Sequence, residues 1–192
     1  MSVGRSNAQP AARPMEFRRG EATALPFPEN SFDATVMALV IFFLPDPARG
    51  VAEMVRAVRP GGMVAIYAWE MLGGGFPFEP ILVELRALEL AYPQPPSADA
   101  SRIDALKVLW EAAGLEAIEP QGMRVQRTFA DFEEFWTTTV GGGTNVGQTL
   151  AGLPADTIAL LRQRVQARLP ADAAGRITYG AHANAVKGRV PE

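Results

Sequence analysis

Residues 20–70 read GEATALPFPENSFDATVMALVIFFLPDPARGVAEMVRAVRPGGMVAIYAWE. An acidic turn, an apolar strand, a capped helix, a Gly-rich turn and a second apolar strand follow one another. That is the order of a βαβ unit, and hence of a parallel sheet with helices packed on it. Ala34 to Val40 is a nearly continuous apolar run, as in a strand buried on both faces. Asp46 stands as an N-cap with Pro47 in the first helical position. Ala48, Val51, Ala52, Val55 and Val58 recur at helical spacing and predict the buried face. Pro60, Gly61 and Gly62 stop that helix and turn the chain into Met63 to Trp69, the next buried strand. Asp33 and Asp46 lie at opposite ends of the first strand.

Composition narrows the function classes. A chain of 192 residues with 48% hydrophobic and 20% charged residues supports one domain with a sizeable core. A net charge of −3 gives no reason to expect a nucleic-acid partner. The chain has no cysteine, so disulfides, thiolate metal sites and a cysteine nucleophile are excluded, and a cytoplasmic location is expected. No apolar run reaches the ~18–20 residues that span a bilayer, and no membrane partner is expected. Met1 to Pro14 lacks an apolar core, is not a secretory signal, and is expected to be disordered or frayed. His182 is the only histidine, which leaves no His cluster for a metal, and it reads as an incidental strand residue.

Outward from the opening stretch, Met15 to Arg19 is a short strand candidate. Gly73 to Gly75 and Gly141 to Gly143 read as flexible joints. Ile81, Leu82, Leu85, Leu88 and Tyr92 share a helical face, with Glu84 and Glu89 among the polar positions. Ser101 reads as the cap of a helix that buries Ile103, Leu106, Leu109, Trp110 and Ala113 and stops at Gly114. Leu115 to Arg127 holds strand candidates at Ala117–Ile118 and Met123 to Val125. Asp131 and Glu134 form a capping pattern ahead of Phe132, Phe135 and Trp136. Asp156 to Leu169 is amphipathic, with Arg162, Arg164 and Arg168 as a solvated stripe, and Ile177 to Val186 is the last strand.

Four pieces of the opening stretch carry a family resemblance: Gly20-Glu21-Ala22 with Leu25-Pro26-Phe27, Ser31-Phe32-Asp33, Leu44-Pro45-Asp46, and Arg59 to Gly62. In this order the chain resembles the class I S-adenosylmethionine-dependent methyltransferases, of the methyltransferase type 11 group that includes the quinone-biosynthesis enzymes. The resemblance implies an α/β fold, a partial Rossmann-like sheet holding strands 3 to 7 of the seven-stranded order 3-2-1-4-5-7-6, with helices on both faces. It implies one partial methyltransferase domain over residues 15–192, with 70–113 and 128–170 as helical segments covering the cleft. The implied cofactor is S-adenosyl-L-methionine, and the implied activity is methyl transfer to a small-molecule acceptor.

The resemblance also assigns residues. Glu21 and Ala22 fall where relatives contact the cofactor adenine, and Ala38 where a small residue faces the cofactor. Phe42, Phe43, Phe76 and Trp136 are candidates for an apolar acceptor pocket, with ordinary core packing as the alternative. No catalytic residue is named, because the donor is already activated and the enzyme mainly aligns the reactants.

Two family features are missing. No GxGxG turn and no ribose-binding acidic residue precede Gly20, so the chain is expected to be truncated before the family's third strand and to bind cofactor weakly or not at all. Ala34 to Val40 is then expected at a sheet edge, where Met15 to Arg19 or another chain could cover it by self-association. The alternative function is a non-catalytic remnant that serves as a protein-interaction module. A nucleotide-dependent oxidoreductase is disfavoured, since the GxGxxG fingerprint is also absent.

Overall fold

In a computed structural model that describes residues 16–141 and 144–192, β1 (Phe32–Ala38) and β2 (Val58–Trp69) are parallel and joined by α1 (Pro47–Ala57). The strand ends where Leu39 turns into the left-handed region at φ 58°, and the tight turn Ile41–Phe43 follows. Asp46 caps α1, its Oδ1 accepting the Arg49 N–H at 3.0 Å. The helix gives way to strand at Val58, before Pro60 is reached, as a proline disfavours helical backbone just ahead of it.

The Arg-Pro-Gly-Gly step is a bulge at the start of β2. Phe32 pairs with Val58, but Ala34 already pairs with Met63. Gly61 takes φ 72°, and a Cβ on Gly62 would lie 2.7 Å from the Asp33 carbonyl oxygen. Both positions therefore require glycine. The bulge is stitched to the end of the chain, Gly61 donating to the Val190 carbonyl and Val190 to that of Gly62, each at 3.0 Å.

The rest of the chain adds α2 (Glu79–Ala87), α3 (Ile103–Ala112), β3 (Glu116–Phe129), α4 (Phe132–Val140), α5 (Asn145–Ala151), α6 (Ala155–Arg168) and β4 (Ile177–Arg189). The sheet order is β1-β2-β4-β3, with β4 antiparallel to both neighbours. This is the order that the resemblance implied for its last four strands. Two cores result. In the first, α1 and α3 cover Val64, Ile66 and Ala68 of β2, and the fully buried Trp110 donates its indole N–H to the Val64 carbonyl at 3.3 Å. In the second, Ile81, Leu85, Phe135 and Leu161 of the other helices pack on Phe129 and Ile177 at the far end of the antiparallel β3–β4 pair.

Several expectations are corrected. Residues 16–19 form no strand; Phe17 is 88% exposed, so nothing pulls this stretch onto the sheet. The sheet thus has four strands among the described residues, with β1 an open edge. Helices cover the β2 face that carries Val64 and Ile66 and pack at the far end of β3 and β4; over β1 the other face is bare, where Val36 is 66% exposed, and most of β3 is exposed. The α1 face is rotated: Gly50, Val51, Met54 and Ala57 are buried, whereas Ala48 and Ala52 are exposed. Leu44 packs over Gly50, and Glu53 is drawn inward by hydrogen bonds.

Ser101 does not cap α3. It is buried, accepts the Met71 N–H at 3.0 Å and donates to the Ala98 carbonyl at 2.7 Å. The two strand candidates after Leu115 are one continuous strand, and α5 had no sequence counterpart. Glu84 is not a surface carboxylate. It is 3% exposed and bonded to Arg164 at 2.6 Å and Arg168 at 2.9 Å. The arginine stripe therefore joins α6 to α2, and its third member, Arg162, pairs with Glu133. The capping pattern at Asp131 and Glu134 forms, with the Glu134 carboxylate reaching the Ala130 N–H. Residues 1–14, Met15, Gly142 and Gly143, on which further expectations fell, lie outside the described residues.

Candidate functional site

The turn that carries Glu21 and Ala22 is held by α1. A bridge closes it, with the Ala24 N–H donating to the Glu21 carbonyl at 3.1 Å. Glu53 Oε2 accepts the Leu25 N–H at 2.8 Å. Arg56 donates to the carbonyls of Phe27 at 2.9 Å and Leu25 at 3.1 Å, and Arg49 to that of Thr23 at 3.2 Å. Glu53 and Arg56 also bond each other at 2.8 Å. That bond from Arg56, against the opposing effect of burial, holds the Glu53 carboxyl down at about 2. A loop of small and turn-forming residues is thereby given one conformation, with its backbone groups satisfied by a charged pair.

Ala22 and Ala38, sixteen residues apart, line the same groove beside β1, with Leu25, Phe27 and Met54 among the other walls. The groove has a volume of about 420 Å³. Ala38 ends β1 and is exposed, so the groove opens at the carboxyl end of the strand, where open α/β sheets bind ligands. Glu21 is exposed beside Ala22, its carboxylate 3.5 Å from the Thr23 hydroxyl.

The residues present fit one end of a nucleoside-type cofactor. An apolar wall accepts a flat heterocycle, and an exposed carboxylate next to it can accept from an exocyclic amine. No carboxylate lines the groove itself, and its polar atom of note is the Thr35 hydroxyl, buried without a partner. No ribose acceptor lines the groove, and no GxGxG turn leads into a helix among the described residues; Gly73–Gly75, between β2 and α2, lacks that pattern.

The four aromatic candidates are not brought together. Phe42 is 3% exposed in the first core, while Phe43 beside it is half exposed. Phe76 lies between the two cores and meets Phe78 edge to face, with ring centroids 5.1 Å apart. Trp136 is buried in the second core under Arg162.

A different set encloses a cavity of about 220 Å³: Trp69, Phe78, Val125, Phe129, Thr139 and Tyr179. Trp69 is the last residue of β2, so this cavity also sits at a carboxyl strand end; that position was the signal in the sequence that could have found it. The Tyr179 hydroxyl donates to the Phe76 carbonyl at 3.2 Å. Burial, with Glu79 nearby, pushes its phenol up to about 12, so it stays protonated at neutral pH.

Between groove and cavity, the end of β2 is pinned by a buried network. Asn184, 2% exposed, donates to Glu70 at 2.6 Å and to the Ser101 carbonyl at 2.9 Å. Glu70 in turn accepts the N–H groups of Leu72 and Gly73. His182 contributes backbone only: its N–H donates to the Gly75 carbonyl and its carbonyl accepts from Glu70. Among the described residues no helix is long and apolar enough to cross a membrane.

Comparison with known proteins follows the same lines. Residues 1–66 match a family described as a methyltransferase domain. The demethylmenaquinone methyltransferase of Desulfitobacterium hafniense (strain Y51) is 50% identical over 50 residues, 26% of this chain and 20% of that protein. The demethylmenaquinone methyltransferase of Renibacterium salmoninarum is 36% identical over 90 residues, 45% of this chain and 38% of that protein. The chain thus spans well under half the length of these curated relatives.

Among solved structures, a protein assigned as a methyltransferase from Bacillus halodurans C-125 superposes with a TM-score of 0.54 at 17% identity, over 92% of this chain and 78% of that one. The YcgJ protein of Bacillus subtilis gives 0.54 at 16%, over 92% and 71%. These likenesses show the fold, a Rossmann-like α/β sheet.

Proposed function

We propose that this chain, a member of the methyltransferase-domain family through residues 1–66, is the acceptor-side part of a cytoplasmic S-adenosylmethionine-dependent methyltransferase acting on a small molecule. One observation supports this most: Ala22 of the motif turn and Ala38 at the end of β1, sixteen residues apart, line one groove at the carboxyl end of the strand, with Glu21 beside it. Glu21 would accept from the cofactor's exocyclic amine, and Ala22 and Ala38 would leave room for its ring. The bound cofactor supplies an activated methyl group on sulfur. The chain's own task is to hold the acceptor in line with it.

The acceptor seat in this reading is the cavity at Trp69, Phe78 and Tyr179, which the helical segments 70–113 and 128–170 help to shape. Its walls suit an apolar acceptor, and Tyr179, being protonated, offers a donor rather than a base. A second reading, a non-catalytic module that binds other chains, draws on the open β1 edge.

The test is a two-dimensional amide NMR titration of the chain with S-adenosylhomocysteine at millimolar concentration. Weak binding is expected, with shift changes centred on Glu21, Ala22 and Ala38 and abolished by Ala38→Trp. Changes centred elsewhere, or none, would overturn the assignment.

A further inference from the structure

The cavity of about 220 Å³ at the end of β2 is apolar within and charged at its mouth. The rings of Trp69, Phe78, Phe129 and Tyr179 line it, and among the described lining residues Arg127 alone carries a charge. The Arg127 side chain is 56% exposed, so it stands where the cavity meets solvent. Its guanidinium carbon lies 4.5 Å from the centre of the Phe129 ring, and one of its amino groups donates to Glu134 Oε1 at 3.3 Å. That bond is longer than the ~2.7–2.9 Å of a well-formed charged pair. Glu134 is also committed to the start of α4, where it accepts the Ala130 N–H at 2.6 Å. Among the described residues no other side-chain hydrogen bond ties Arg127, so most of its N–H donors remain for a ligand.

The inner wall offers an anion no partner. Thr139, 3% exposed, gives its hydroxyl proton to the Phe135 carbonyl at 2.7 Å. The Tyr179 hydroxyl is bonded to the Phe76 carbonyl, with Glu79 nearby. A charged group taken to that end would lose its water without gaining a donor. Size is limited as well. An apolar cavity of about 150 Å³ is enough for benzene. A volume of about 220 Å³ therefore takes one ring with one or two small substituents, and is too small for two fused rings.

We propose that the acceptor is a single-ring aromatic carboxylate, its ring among Trp69, Phe78 and Tyr179 and its carboxylate on Arg127 at the mouth. This rests on the reading of the cavity as the acceptor seat and narrows it from an apolar molecule to an aromatic acid. The four rings favour a flat aromatic guest through offset and edge-to-face contacts. The planar guanidinium, held over Phe129, can grip a carboxylate through two parallel bonds, which a neutral guest does not match. Arg127 is then the residue that sets specificity.

The test is binding without cofactor: amide and indole NMR titrations of the chain with benzoate, with its neutral isostere benzamide and with 2-naphthoate, each at millimolar concentration. Benzoate is expected to shift the Trp69 indole and the Val125, Thr139 and Tyr179 amides, with an affinity about fivefold or more above that of benzamide. Arg127→Met should bring benzoate down to the affinity of benzamide, and 2-naphthoate should bind the native chain more weakly than benzoate. The comparison of benzoate with benzamide in the native chain decides the matter even where the variant misfolds. Benzamide binding at these residues as tightly as benzoate overturns the proposal in favour of a neutral guest and leaves the acceptor seat standing. Naphthoate binding there as tightly as benzoate overturns the single-ring limit. Shifts centred elsewhere, or none with any probe, overturn the proposal and the acceptor seat together.

Discussion

Glu53 Oε2 accepts the backbone N–H of Leu25 at 2.8 Å, joining α1 to the motif turn across 28 residues of sequence. With Arg56 on the neighbouring carbonyls, this bond decides where Glu21 and Ala22 stand relative to Ala38. Because the Glu53 carboxyl sits at about 2 in the fold and at its ordinary 4.5 when free, the ionised form favours folding. Its contribution is complete above about pH 4.5 and is lost as pH falls toward 2. The protection of the Leu25 N–H against hydrogen exchange, relative to its intrinsic rate at each pH, should therefore fall through that window in the native chain. In Glu53→Gln the turn should exchange faster at neutral pH and lose this pH dependence.

The Glu84 cluster makes the second core sensitive to arginine loss. The side chain of Glu84 is 4% exposed, and the hydrogen bonds from Arg168 and Arg164 hold its carboxyl below the usual range. Replacing both arginines by methionine leaves a buried carboxylate with neither of these partners. Breaking a buried pair costs roughly 3–5 kcal/mol. With arginine side chains 41% and 48% exposed, solvent screens part of this, and about 2–3 kcal/mol is expected from urea unfolding. Adding Glu84→Leu to the double variant should restore most of it.

Thr35→Val removes the buried hydroxyl that has no partner. Measured at protein concentrations where the chain is monomeric, it should stabilise the fold by about 1 kcal/mol. Urea unfolding of the two proteins side by side checks this, and an unchanged or lower stability would mean that the hydroxyl is satisfied in solution.

Gly62→Ala tests the bulge. The new methyl group would meet the Asp33 carbonyl oxygen at 2.7 Å and that of Arg59 at 2.9 Å, and backbone cannot swing aside as a side chain can. A loss of about 1–3 kcal/mol is expected by thermal or urea unfolding, with the β1–β2 register disturbed.

Asp46→Ala should cost about 1 kcal/mol by removing the acceptor for the Arg49 N–H. Asp46→Asn keeps an acceptor and should recover most of the loss.

Much of the fold was legible because its signals are local. The apolar runs of β1 and β2, the Asp46-Pro47 start of α1 and the glycines of the bulge each reflect backbone geometry within a few residues. The candidate site was legible only in part. The family resemblance pointed to Glu21, Ala22 and Ala38, but the acceptor candidates Phe42, Phe43, Phe76 and Trp136 are dispersed between core and surface. An aromatic residue buries itself wherever apolar surface is available, and a one-dimensional pattern does not say which side of a core it reaches.

By itself, then, the sequence determined the parallel βαβ unit and its turn chemistry, since these follow from periodicity and from the dihedral limits of Asp, Pro and Gly. Only the tertiary structure decided which carboxylates are structural, that Glu53 and Glu84 turn inward while Glu21 stays in solvent. It also decided that Trp69, Phe78 and Tyr179 line one cavity. Those outcomes depend on partners 28 to 110 positions away along the chain, such as Leu25 for Glu53, Arg168 for Glu84 and Trp69 for Tyr179. A charge or an aromatic ring is assigned to core or surface by what the finished packing places opposite it, which local sequence does not contain.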